Sequence, residues 1–274
     1  MIGATHAARA LRDGDLSEPE VLRLPVAGGQ SIALDWYAAG PQAPALLFVH
    51  GLGSHRRGEK VLYFAERFQA AGRAVAALDL RGHGDSDGAM RDLTMRRMLA
   101  DLDAAAAWLR ERSAPRRILL VGSSMGAAVA AWHAVRSPQD IEGLVLIAPS
   151  LEFPASLTRT LDPTALADWR RTGLRRFTSE WLDLEIGAGL LEEAGSYDPV
   201  RLASELRVPW LLVHGVRDEV IPWQRSVEFV RAAGNAAGDL YLIGTGDHRL
   251  TAHKQLLFEM FGAWLERRTG PPAA

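Results

Sequence analysis

Six short runs dominated by apolar side chains constrain this chain more than any other feature. They fall at residues 45–50, 74–80, 117–122, 144–148, 210–214 and 239–243, and helical patterning separates most of them. A strand with one wet face alternates polar and apolar residues. A strand that is apolar throughout must be covered on both faces, as in a parallel sheet whose crossovers lay helices on either side. Helices are expected near 58–71, from about 93, over 125–135 and over 250–267. The second places Met95, Met98, Leu99, Leu102, Ala106 and Leu109 on one stripe, and the last turns Leu250, His253, Leu257, Met260, Phe261, Trp264 and Leu265 inward. Ahead of them, 21–26 and 31–37 read as a hairpin across Ala27-Gly28-Gly29-Gln30. The expected fold class is α/β, a mostly parallel sheet covered by helices on both faces.

One interval breaks the alternation. About sixty residues separate the run ending near Ala148 from the one beginning at Trp210, far more than a crossover loop needs. The interval carries helical patterning, with Leu166, Trp169, Gly173 and Phe177 on one stripe. We read 150–205 as a small helical lid inserted into a core formed by 1–149 and 206–274; residues 270–274 are expected to fray.

Composition narrows the function classes. At 274 residues with 48% hydrophobic and 23% charged residues, one large core is the economical arrangement. A formal charge of −2 gives no reason to expect nucleic acid as a partner. Lysine occurs only at Lys60 and Lys254, which reads as a genomic preference for arginine rather than a phosphate site. With no cysteine, disulfides, thiolate nucleophiles and zinc–thiolate sites are excluded. Residues 118–135 lack Asp, Glu, Lys and Arg, yet Gly122, Gly126, two serines and His133 make them a strand, turn and helix rather than a membrane span. Residues 1–16 have no continuous apolar stretch, so no signal peptide is read there and a cytoplasmic location is expected.

Two segments fit the pattern G-x-S-x-G. A chance match somewhere in such a chain has a probability of about one in ten, so setting must decide between them. Gly122-Ser123-Ser124-Met125-Gly126 follows an apolar run and opens an Ala-rich helix, as a nucleophile elbow requires. Gly84-Asp85-Ser86-Asp87-Gly88 follows no strand directly, and its two aspartates would oppose a developing oxyanion. Ser124 is the candidate nucleophile, and Ser86 a loop residue.

A serine hydroxyl needs a base, and the base should lie on a loop at the same sheet edge, after a later strand. Of the eight histidines, His248 in Gly244-Thr245-Gly246-Asp247-His248 meets that condition. His133 and His253 fall in helices, His50 and His214 end strands and brace loops, His55 and His83 are loop residues, and His6 is N-terminal. Asp218, just past the run 210–214, is the candidate acid that orients the imidazole, with Glu219 and Asp247 as rivals. Oxyanion donors are expected at the backbone N–H of Met125 and, from the loop His50-Gly51-Leu52-Gly53, of Leu52; Leu52 could equally pack on the lid.

Together, His50-Gly51-Leu52-Gly53, Asp79-Leu80-Arg81-Gly82-His83-Gly84, Gly122 to Gly126, Arg217-Asp218 and Gly246-Asp247-His248 resemble the α/β-hydrolase superfamily. Within it the chain is similar to serine esterases, monoacylglycerol-lipase-like enzymes and the serine aminopeptidase-like group. The resemblance implies a Ser-Asp-His triad, a lid, a structural role for the loop from Arg81 to Gly84, and no metal or cofactor. Serine rather than aspartate at 124 argues against the dehalogenase and epoxide-hydrolase branches. The expected activity is hydrolysis of a small-molecule carboxylic ester of short to medium chain or small aromatic acyl group. Leu151, Phe153, Trp169, Phe177, Trp181 and Leu182 would line the acyl pocket or dock the lid. Arg170, Arg171, Arg175 and Arg176 would attract an acidic substrate or form a solvated face. Amide, peptide or thioester cleavage, and a ligand sensor on the same scaffold, are the alternatives. Oligomeric state is not legible.

Overall fold

A computed structural model of the chain describes residues 18–40, 44–113, 116–159, 161–179, 182–234 and 238–269. His6, Trp181 and the tail 270–274 lie outside them. The strands are β1 (Glu20–Val26), β2 (Gln30–Tyr37), β3 (Leu46–Val49), β4 (Val75–Leu78), β5 (Ile118–Ser123), β6 (Ile141–Ile147), β7 (Leu174–Thr178), β8 (Asp183–Gly187), β9 (Trp210–Gly215) and β10 (Gly238–Ile243). The helices are α1 (Glu59–Ala70), α2 (Met95–Arg110), α3 (Met125–Arg136), α4 (Pro163–Thr172), α5 (Gly189–Glu193), α6 (Pro199–Glu205), α7 (Gln224–Ala233) and α8 (Lys254–Thr269).

Eight strands form one sheet in the order β1-β2-β4-β3-β5-β6-β9-β10. β1 and β2 pair antiparallel, β2 joins β4 antiparallel, and every pairing from β4 through β10 is parallel. Because side chains alternate across a strand, each apolar run feeds two layers. Leu46, Phe48, Val75, Ala77, Leu119 and Val121 join Phe64 and Phe68 of α1 and Leu257, Phe261 and Trp264 of α8. Leu47, Val49, Ala76, Leu78, Ile118 and Leu120 join Met98 and Leu102 of α2, Trp132 of α3, Leu202 of α6 and Phe229 of α7. The strand order reverses direction between β3 and β5, so the chain leaving β5 emerges at a crevice on the carboxyl edge of the sheet, where ligands of open α/β sheets bind.

The segment between β6 and β9 differs from the helical lid expected from sequence. It contains α4, α5 and α6 but also an antiparallel pair, β7 with β8. The stripe from Leu166 to Phe177 is therefore not one helix. Asp162 caps α4 by accepting the Ala165 N–H, Pro163 occupies its first turn, and Gly173 ends it in the left-handed region at φ 77°. Phe177 then lies in β7, where it meets Trp169 edge-on across 5.2 Å. Two further differences are smaller. β6 begins at Ile141, before the expected 144, and a 3-10 turn, Thr251–His253, precedes α8. Among the described residues, no helix is long and apolar enough to cross a membrane; residues 118–135 form β5 and most of α3.

A charge cluster fixes the loop after β3. Arg56, 3% exposed, donates from Nε to Asp35 of β2 and from its terminal nitrogens to Asp79 and Asp85; its backbone N–H also reaches Asp79. Asp35 and Asp79 are fully buried. Each carboxylate is thereby paired and hydrogen-bonded, as burial of charge requires.

Candidate active site

Ser124 sits between β5 and α3 with φ 54° and ψ −118°, a strained conformation for a side chain other than glycine. Its amide donates to the Ile147 carbonyl, and its carbonyl accepts from Ala127 and Ser150, so the surroundings hold the turn. Close packing explains the flanking glycines. A Cβ on Gly122 would fall 2.5 Å from the Ala127 Cα, and one on Gly126 would fall 2.3 Å from the carbonyl oxygens of Val49 and His50. The helix start can press onto the end of β3 only with hydrogen at both positions.

His248, on the loop after β10, places Nε2 3.0 Å from Ser124 Oγ and Nδ1 2.7 Å from Asp218 Oδ2. Asp218 belongs to the loop after β9. Its other oxygen accepts the Val220 and Ile221 amides at 2.9 and 2.8 Å. Burial alone would raise its pKa, but hydrogen bonds from His214, His248 and the Ile221 amide outweigh this and hold it well below the ordinary carboxylate value. The two loops are tied together, because Arg217 N–H donates to the Gly246 carbonyl at 2.8 Å. Ser124, His248 and Asp218 thus form one hydrogen-bonded chain. The rivals stand elsewhere: Asp247 accepts the Leu250 N–H at 2.7 Å, and Glu219 is exposed.

Leu52 and Met125, the expected oxyanion donors, adjoin this chain: Met125 follows Ser124, and a Cβ on Gly51, the residue before Leu52, would fall 3.2 Å from the Ser124 Cβ. The Met125 N–H begins α3, where first-turn amides lack intrahelical acceptors. The Leu52 N–H is aimed through its neighbour. His50 Nε2 accepts the Leu80 amide at 3.1 Å, so the neutral ring carries its proton on Nδ1 and donates to the Gly51 carbonyl, 2.7 Å away. Burial pushes His50 down to about 4, which keeps the ring neutral. That carbonyl also accepts the Ser54 amide. In a trans peptide C=O and N–H point to opposite sides, so anchoring the Gly51 oxygen turns the Leu52 N–H the other way. Among the described residues, neither N–H has a protein acceptor.

Several other residues are accounted for. His83 packs tilted at 56° against His50, ring centres 4.7 Å apart, and burial first, then His50, pushes it down to about 3. Ser86 Oγ donates to the Asp79 carbonyl at 2.6 Å and accepts the Ala33 amide at 2.8 Å, which makes it a strut of the fold. His133 Nδ1 lies 2.8 Å from Asp103, and His253 Nε2 3.4 Å from the Thr245 hydroxyl. His55 accepts the Arg57 amide. Of the arginines at 170, 171, 175 and 176, Arg171 pairs with Asp168, and Arg176 with Asp183 through two bonds of 2.6 Å. Leu151, Phe153 and Trp169 are buried in the core on which the insert rests. Among the described residues, no group of three or more His, Asp or Glu is arranged to hold a metal ion.

Two features escaped the sequence reading. His214, taken as a loop brace, contacts Asp218 directly; no local pattern announces this, since only the tightness of the turn brings them together. Lys60 donates to Ser123 Oγ at 3.3 Å and to the Arg249 carbonyl, joining the turn of Ser124 to the loop of His248. Burial, then nearby Arg249, lowers it to about 8. Its signal was its rarity among 31 lysines and arginines.

The comparisons agree with the fold. Residues 40–185 match the Hydrolase_4 family model, described as serine aminopeptidase, S33. The palmitoyl-protein thioesterase ABHD10, mitochondrial, of Bos taurus is 25% identical over 212 residues, covering 76% of this chain and 68% of the relative. Alpha/beta hydrolase domain-containing protein 10 from mouse superposes with a TM-score of 0.79 at 22% identity, over 90% of this chain and 99% of that one. Est1E from Butyrivibrio proteoclasticus, solved with ferulic acid bound, gives 0.77 at 21% identity, over 91% and 100%.

Proposed function

The chain belongs to the serine aminopeptidase family of the α/β-hydrolase superfamily, and from that premise we propose that it hydrolyses carboxylic esters through Ser124, His248 and Asp218. The observation that carries this is the unbroken bond chain of 3.0 and 2.7 Å from the serine hydroxyl to the carboxylate. His248 Nε2 takes the Ser124 proton as Oγ attacks the acyl carbonyl. The tetrahedral oxygen accepts the Leu52 and Met125 N–H groups, each such donor being worth on the order of a hundredfold in rate. Collapse expels the alcohol, which leaves with the proton from His248. Water then attacks the acyl-enzyme, His248 takes its proton and returns it to Ser124 Oγ, and the acid departs.

The insert acts as a lid. Leu182 and Leu184 press on the oxyanion loop so closely that a Cβ on Gly53 would fall 2.5 Å from Leu182 and 3.3 Å from Leu184. With Phe177 they give an apolar wall suited to a short, medium or small aromatic acyl group.

Thioester cleavage is the second reading, favoured by the thioesterase name of the ABHD10 relatives. The same attack serves, and a thiolate leaves with less help from a general acid than an alkoxide does. A panel of p-nitrophenyl esters, acetate to decanoate, beside matching acyl thioesters decides between them. Repeated turnover of esters that is lost in Ser124→Ala supports the first reading, and turnover confined to thioesters moves the assignment to the second. If wild type turns over neither, and a fluorophosphonate fails to label Ser124, both are overturned.

A further inference from the structure

We propose that His214 is a positioning residue, a second imidazole that fixes the Asp218 carboxylate in the orientation His248 requires. The proposal rests on the triad reading above and goes beyond it, because His214 touches neither Ser124 nor substrate.

His214 is the penultimate residue of β9, with no side-chain exposure. Its Nε2 lies 2.9 Å from Asp218 Oδ2 and 3.1 Å from the Ile221 carbonyl. Both neighbours only accept, so Nε2 carries the proton. Nδ1 lies 2.7 Å from the hydroxyl of Ser226, which is fully buried on α7. In the neutral ring Nδ1 accepts from that hydroxyl, and the arrangement selects a single tautomer. The oxygen that His214 reaches is the one that His248 reaches.

Asp218 therefore accepts four N–H donors, two at each oxygen. The two amides come from its own loop, and His248 is the ring whose proton the reaction exchanges. His214 is the donor that anchors Oδ2 to the sheet itself. Without it, Oδ2 is held only by the imidazole it is meant to orient, and the carboxylate can turn. A misplacement of about 1 Å in such a group costs on the order of 10²-fold in rate.

A residue that merely fills space would be replaced well by an apolar ring of similar size; a positioning donor would not. The test compares wild type with His214→Phe, His214→Gln and Ser226→Ala, using whichever ester or thioester wild type turns over. Glutamine presents an amide N–H near the place of Nε2. We expect His214→Phe to lower kcat by about 10²-fold with KM within about twofold, and His214→Gln to recover to within about tenfold of wild type. Ser226→Ala, which leaves the donor in place but frees its tautomer, should lower kcat by a few fold; it keeps the test decisive if His214→Phe does not fold.

A second readout needs no turnover. The low-field proton NMR signal of His248 Nδ1–H should be sharp in wild type and His214→Gln, and broadened by exchange in His214→Phe. The proposal is overturned if His214→Phe keeps kcat within threefold, if glutamine rescues nothing, or if the Nδ1–H signal is unchanged. Absence of turnover in wild type, together with no fluorophosphonate labelling of Ser124, would instead overturn the hydrolase reading, while the proton signal still decides the role of His214.

Discussion

The two serines in G-x-S-x-G settings differ in what their hydroxyls touch. Ser124 Oγ meets an imidazole, whereas Ser86 Oγ is used twice by the backbone. Ser124→Ala should abolish turnover with an unchanged melting temperature. Ser86→Ala should leave kcat intact but lose two half-buried hydrogen bonds, at about 1–3 kcal/mol by chemical denaturation. The second variant is thus not the silent change that a loop serine suggests. Asp218→Asn should lower kcat by on the order of 10⁴-fold, because the amide cannot serve as acceptor and charge partner together. The depressed pKa of Asp218 adds stability that is present above its unfolded value of 3.8 and is lost only as pH falls below it toward the folded value. Loss of activity between neutral pH and about 4 therefore does not come from this carboxylate. At this scale the sequence was highly legible, since the elbow and the loops of Asp218 and His248 carry glycines that mark them. His214 was illegible because a contact across a folded turn leaves no periodic trace.

Elements carry a different kind of information. The apolar runs revealed the parallel strands because burial on both faces demands them, whereas α7 was not singled out. It fully buries only Ser226 and Phe229, with Val230 and Ala233 half-buried beside them. The β7–β8 pair was misread because Arg175, Arg176 and Asp183 give a polar surface hairpin no apolar signature. The loop after β3 makes the sharpest stability prediction. Arg56→Ala would leave the buried Asp79 without its guanidinium, while Asp35 keeps Arg57, and should destabilise by about 3–5 kcal/mol in urea titrations. The neighbouring His50 and His83 set a pH window. Their folded values of about 4 and about 3 lie below the ordinary 6.5, so the unfolded chain takes up protons that the folded chain does not. The melting temperature should be unaffected by these rings above pH 7 and fall between 6.5 and about 4. His83→Gln should make that fall shallower; an identical profile would remove the pair from the account.

Across the whole molecule, the sheet and the insert are held to different standards. Eight strands share two continuous cores, while β7 and the start of β8 alternate exposed and half-buried positions, and the pair rests on a few anchors such as the buried Ile186. Trp169 is one, buried and donating from Nε1 to the Ile186 carbonyl at 2.9 Å. Trp169→Phe removes that donor, and hydrogen exchange should accelerate across β7 and β8 while the sheet amides keep their protection.

The placement of the two lysines reaches beyond catalysis. Lys60 bridges to the His248 loop, and Lys254 bonds Glu59 at the start of α1, so both side-chain amines sit on the His248 side of α1. Coupling the protein through these lysines would turn the His248 loop toward the matrix and sever the Lys60 bridge. A chain without a native thiol offers the opposite choice. One cysteine introduced on the far rim, away from His248, would give a unique handle and an immobilised catalyst that faces its solution.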